Sequence, residues 1–127
     1  MEDKYGRLDE FEEILNEIYA EIPEKFFEDL NLGVVIEEDL SYHPKSQDND
    51  LFSLGAYKRG PLGRGIVIYY GSFMKLFGFL PRELLKEKIR ETFLHELQHH
   101  REFMARYADL EVEDAQYIKE YEDSKKL

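Results

Sequence analysis

The stretch RETFLHELQHH, residues 90–100, holds three of the chain's four histidines. His95 and His99 bracket Glu96 in the spacing His-Glu-x-x-His. Residues four apart share one face of a helix, so a helix here aims two imidazoles at one point, as a metal requires of its ligands. The flanking sequence supplies that helix. Pro81 suits a first helical turn, and Leu85, Ile89, Phe93, Leu97 and Met104 form an apolar stripe at helical spacing. The stripe falls roughly opposite His95 and His99, which leaves one face to pack and another to carry a site. Glu96 lies about 100° round from His95, beside the histidines, where a carboxylate can take a proton from water without ligating the metal. The competing reading is a solvated helix face with ordinary surface charges. Two residues of a rare type at ligand spacing favour the metal.

Zinc accepts neutral imidazole, lowers the pKa of water to roughly 7 and polarises a carbonyl. A catalytic zinc takes three protein ligands and a water, so a third ligand is required. Asp109 ranks first, because the helix is expected to end near it and the chain can turn back there. Glu113 on the next element ranks second, and Glu102, one turn beyond His99 on the same face, third. His100 sits about 140° from His95, too far round to share the metal, and reads either as a buried or capping histidine or as a support for the site. His43, before Pro44 in a polar segment, reads as a solvated loop histidine. Tyr69 and Tyr70 are taken to alternate across a strand, where either packs or hydrogen-bonds a tetrahedral intermediate.

Upstream, LDEFEEILNEIYAEI, residues 8–22, places Leu8, Phe11, Leu15, Ile18 and Ile22 on one helical face, with Pro23 just beyond. EKFFEDLN reads as one or two helical turns and GVVIEED as a strand. LSYHPKSQDND, residues 40–50, reads as a loop. LFSLGAYKRG reads as a strand with Gly55 as a bulge, and GIVIYYG as the best strand of the chain. These two are expected to pair as a hairpin through a long connection at RGPLGRG. SFMKLFGFL reads as a short helix, and LEVEDAQYIKEYEDSKKL as a separate acidic helix after the long one. Helix, strands, then helices argue an α+β fold rather than alternating βαβ units. No repeat or linker divides residues 1–127, which are read as one domain.

The composition narrows the partners. The chain has 127 residues, 43% of them hydrophobic, enough for a core of its own. The formal net charge of −11 repels phosphate backbones and anionic membrane surfaces, so neither nucleic acid nor membrane is expected as a partner. With no cysteine, thiolate metal ligands, disulfides and a cysteine nucleophile are excluded. The polar, acidic start is unlike a signal peptide, and no apolar run reaches the roughly 18–20 residues of a membrane span. A cytoplasmic protein is expected.

GIVIYYGSFMKLFGF followed by LLKEKIRETFLHELQHH resembles the small bacterial zincin-like metallopeptidases. Their pattern is a strand ending in IYxGxF, a variable helix, and R-x-T-x-x-H-E-x-x-H-H. It is met at Ile68, Tyr69, Gly71, Phe73, Arg90, Thr92, His95, Glu96, His99 and His100. The resemblance implies a zincin-like fold, a small sheet packed on the helix of the His-Glu-x-x-His motif. It further implies one zinc per chain on His95 and His99, with Glu96 as catalytic base. Many members continue with FG, two residues and an acidic residue. Here REFMARYAD follows, and the resemblance carries the acidic ligand to Asp109. The implied activity is hydrolysis of a peptide or flexible protein segment, lying against an exposed edge strand for which GIVIYYG is the candidate. The alternative is a metal-binding interaction module that keeps the fold without cleaving.

Overall fold

A computed structural model describes residues 3, 5–43 and 51–125 of the chain, with 109–115 and 124–125 described by backbone alone. The elements are α1 (Leu8–Glu21), a 3-10 turn (Glu24–Phe27), β1 (Gly33–Glu37), β2 (Ser41–Tyr42), β3 (Phe52–Ser53), β4 (Gly55–Gly60), β5 (Gly63–Tyr69), α2 (Tyr70–Phe77) and α3 (Arg82–Lys125). The α+β class is therefore as expected.

Three strands form the main sheet in the order β1-β5-β4, with β1 parallel and β4 antiparallel to β5. GIVIYYG is thus the central strand and not an edge. Its composition accounts for this: Ile66 and Ile68 are fully buried, and an apolar run suits a strand paired on both sides. The edge role falls to β4, whose Lys58 and Arg59 place charge where a free edge needs it. The hairpin between β4 and β5 is tighter than expected. Gly60 pairs with Gly63, so only Pro61 and Leu62 make the turn. The expected bulge at Gly55 is absent, because Gly55 opposes Ile68 in unbroken register. The strand breaks one residue earlier, at Leu54, whose carbonyl accepts from the Tyr69 amide. β2 and β3 pair as a second, two-stranded sheet inside what reads as a loop; residues 44–50 lie outside the described residues.

One face of the main sheet carries the core. Phe11, Ile14, Leu15 and Ile18 of α1 and Leu85, Ile89, Phe93 and Leu97 of α3 pack on Ile66 and Ile68, with Tyr70, Phe73 and Met74 of α2 closing one end. Both apolar stripes read from periodicity are the buried faces. Beyond the core, α1 and α3 are laced together by charge. Arg82 meets Glu13 and Glu17, Lys86 meets Glu17 and Glu21, and Arg90 meets Glu21. The register advances the same way on both helices, so they run parallel.

α3 is one helix of 44 residues, where the sequence leads one to expect a break near residue 108. No glycine or proline occurs after Pro81, so nothing in the chain breaks it. The fading of the apolar stripe marks the end of the packing partner, not of the helix. At about 1.5 Å per residue α3 spans roughly 66 Å, more than the sheet can cover. No helix among the described residues is long and apolar enough to cross a membrane.

Candidate metal centre

The motif lies on α3 where the helix passes under the edge of the sheet. Gly55 at the start of β4 makes that passage close. A Cβ there would stand 2.9 Å from the Thr92 methyl and 3.1 Å from the Val67 carbonyl oxygen. Thr92 is one turn before His95 and Glu96, so the close approach sets β4 above the residues that follow.

His95 and His99 project into solvent, their Nε2 atoms 3.1 Å apart and their rings nearly perpendicular at 85°. Two imidazoles on one tetrahedral zinc, with Zn–N of about 2.0–2.1 Å, hold their nitrogens roughly 3.3 Å apart. The observed spacing fits one shared ion. Glu96 lies on the buried flank of α3. It is 8% exposed, and its Oε1 is 4.0 Å from His95 Nε2. The two imidazole nitrogens and the carboxylate lie within 4.8 Å of one another. Two imidazole nitrogens suit zinc, and Glu96 stands beside them as a carboxylate that is not counted among the ligands. Among the described residues no other histidine or carboxylate joins the group.

Glu102 lies outside it. Its carboxylate accepts a hydrogen bond from Gln98 at 2.9 Å. The side chains of Asp109 and Glu113 lie outside the described residues. His43 is in the short β2–β3 region, where its amide donates to the Leu51 carbonyl. Tyr70 opens α2 instead of ending β5, and its hydroxyl donates to the Asp3 carboxylate while accepting from the Arg7 amide. It serves the N-terminal segment, not the histidines.

A cleft of 440 Å³ opens beside the group, with Glu96 and His99 on its floor and Tyr57 of β4 on its wall. Tyr57 is the residue that reading the sequence missed. Burial pushes its phenol above the ordinary value, against the nearby guanidiniums of Arg64 and Arg59, so it remains a hydrogen-bond donor. Its hydroxyl is 2.7 Å from Nδ1 of His100, and Nε2 of the same ring is 2.7 Å from the Glu28 carbonyl oxygen. His100 is 1% exposed. Of the two readings left open for it, the buried histidine is what the structure shows; its hydrogen bonds go to Tyr57 and the Glu28 carbonyl.

The architecture is thus a small mixed sheet laid on a helix whose His-Glu-x-x-His turn can bind a metal at the sheet's edge. A profile of the zincin-like metallopeptidases matches residues 27–116, and the chain belongs to that family. It is similar in structure to a conserved hypothetical protein from Thermo thermophilus, with 33% sequence identity and a TM-score of 0.65 over 76% of this chain and 95% of that one. No curated protein matches.

Proposed function

We propose that this protein is a zinc-dependent metallopeptidase acting on peptides or flexible protein segments. One observation carries the reading: a pair of exposed imidazole nitrogens 3.1 Å apart, with a buried carboxylate beside them on the floor of an open cleft. His95 and His99 hold the ion, one zinc per chain. Asp109 is expected as third ligand on a chain that turns back after the motif, but α3 continues through it. That sets it about 15 Å along the axis beyond His99, so no third protein ligand is assigned. Zinc, when bound, polarises a carbonyl and acidifies water. Glu96 takes the proton of the attacking water at a carboxylate oxygen and passes it to the leaving amine nitrogen. Its burial beside the histidines keeps that carboxylate in one place through both transfers.

The substrate lies extended along the free edge of β4, adding a strand to the sheet. With a net charge of −11, nucleic acid and anionic membranes are disfavoured partners. The test is Glu96→Gln in the zinc-loaded protein. Metal content should be unchanged and hydrolysis of a peptide library lost. Hydrolysis at the wild-type rate in this variant overturns the assignment of Glu96. Zinc bound without any chelator-sensitive turnover in the wild type favours instead a non-catalytic module that keeps the fold.

A further inference from the structure

The wall of the cleft beyond His99 carries two arginines that the proposed chemistry does not use. Arg59 and Arg106 line the same cleft as Glu96 and His99. Arg59 follows Tyr57 by two positions on β4 and so faces the same way. Arg106 follows His99 by seven positions on α3, which returns it to the same helix face about 10.5 Å further along.

This chain has 28 acidic against 17 basic residues, and Arg7, Arg82 and Arg90 each meet a glutamate at 2.7–2.8 Å. Among the described residues Arg59, Arg64, Arg101 and Arg106 have no carboxylate at ion-pair distance, and of these four Arg59 and Arg106 line the cleft of Glu96 and His99. Glu102 shares the cleft, but its carboxylate is bonded by Gln98. The Arg59 guanidinium stacks over the Phe103 ring, 4.5 Å from its centroid. Stacking fixes the plane of a guanidinium and leaves its N–H edge free for a planar anion.

Resting on the peptidase reading, we infer that Arg59 and Arg106 form a carboxylate-binding subsite, so that the cleft selects peptides carrying an acidic group about three residues from the bond at His95 and His99. The spacing follows from the helix. An extended peptide advances roughly 3.3 Å per residue, so about 10 Å corresponds to three residues. The carboxylate is either an aspartate or glutamate side chain or a free C-terminus.

The test uses the zinc-loaded Glu96→Gln protein, which holds peptide without cleaving it, and measures binding by calorimetry. The probes are hexapeptides of one neutral backbone. One set is C-terminally amidated with a single Glu moved through each position, a second has Gln in place of Glu, and a third is the Gln peptide with a free C-terminal carboxylate. One Glu position should bind about 10-fold or more tighter than its Gln counterpart. That ratio should fall to about one when Arg59→Gln and Arg106→Gln are combined, and recover in part with Arg→Lys at both sites. Selectivity confined to the third peptide set assigns the subsite to a chain terminus. Equal binding of the Glu and Gln sets and of the free-terminus peptide, selectivity that survives the double substitution, or no binding of any peptide overturns the inference. The two readings fail separately. If the wild type binds the acidic peptide selectively but never cleaves it, the peptidase reading falls and the subsite stands. If it cleaves neutral and acidic peptides alike, the subsite falls and the peptidase reading stands.

Discussion

The Tyr57 hydroxyl donates to Nδ1 of His100 across 2.7 Å. The direction is set at the far side of the ring. A main-chain carbonyl only accepts, so the 2.7 Å contact with Glu28 places the proton on Nε2 and leaves Nδ1 as the acceptor. One buried imidazole thus joins the edge strand, α3 and the segment after the 3-10 turn. Tyr57→Phe removes the donor and leaves a buried nitrogen unpaired, at a cost of about 1–3 kcal/mol. The thermal midpoint should fall by several degrees. An unchanged midpoint would mean that water or another donor replaces the phenol.

The same geometry separates the adjacent histidines in metal binding. Both nitrogens of His100 are engaged, whereas the Nε2 atoms of His95 and His99 face each other in the open. His95→Ala and His99→Ala should each reduce zinc affinity by more than the roughly 10–100-fold that an outer hydrogen-bond partner carries. His100→Gln should keep one zinc per chain and lose stability instead. Acid should release the ion from the wild type, since protons compete for the same imidazoles. Elemental analysis of the purified proteins, with and without chelator, distinguishes these outcomes. Metal retained in His99→Ala would remove the motif from the site.

Acid should also loosen the contact between α1 and α3. The Arg82 guanidinium, then the Lys86 ammonium, hold the Glu17 carboxyl down to about 2 from an ordinary 4.5. A carboxyl lowered in the folded state stabilises fully above its unfolded value and loses that contribution as pH falls through its folded value. The contribution of Glu17 is therefore intact above about 4.5 and fades toward 2. Glu17→Gln should be less stable than wild type at neutral pH, with the two unfolding curves converging as pH approaches 2. The pairs are partly exposed, so added salt should narrow the gap at neutral pH. Parallel curves across that range would show that Glu17 titrates normally in the fold.

The helices and the central strand are legible in the sequence because periodicity reports burial directly: of the residues read as apolar stripe, Phe11, Leu15, Ile18, Leu85, Ile89, Phe93 and Leu97 are in the core and Leu8 and Ile22 pack against it. The motif is legible because ligand spacing is local. Other residues of the family pattern can be named from the sequence without their purposes, which are long-range. Arg90 meets Glu21 of α1, Thr92 touches the space above Gly55, and a Cβ on Gly71 would collide with the Leu40 amide nitrogen. Partners 30 to 70 positions away leave no local signal. The edge assignment fails for a related reason. An apolar strand and a charged one are both visible as strands, but which is central depends on β1 crossing to pair with β5. The acidic tail reads as separate because loss of an apolar face resembles a helix end.

Gly55 offers the sharpest test of how the edge strand is held over the metal-binding turn. A Cβ at this position would stand 2.9 Å from the Thr92 methyl and 3.1 Å from the Val67 carbonyl oxygen. The carbonyl belongs to the sheet and cannot yield cheaply. The methyl sits on a β-branched side chain, which has little rotamer freedom in a helix. Gly55→Ala should therefore destabilise by about 1–3 kcal/mol, the range of a small overpacking error. Thr92→Ser deletes the methyl and keeps the hydroxyl, so the double variant should recover part of the loss, with a coupling of roughly 0.5 kcal/mol or more between the two sites. The remainder belongs to the Val67 contact. Zinc binding should be unaffected in Gly55→Ala, because His95 and His99 are positioned by their own helix. Peptide binding should weaken, because the edge strand and Tyr57 are displaced from the cleft. Strict additivity of the two substitutions in urea unfolding would mean that the strand is not held by this contact.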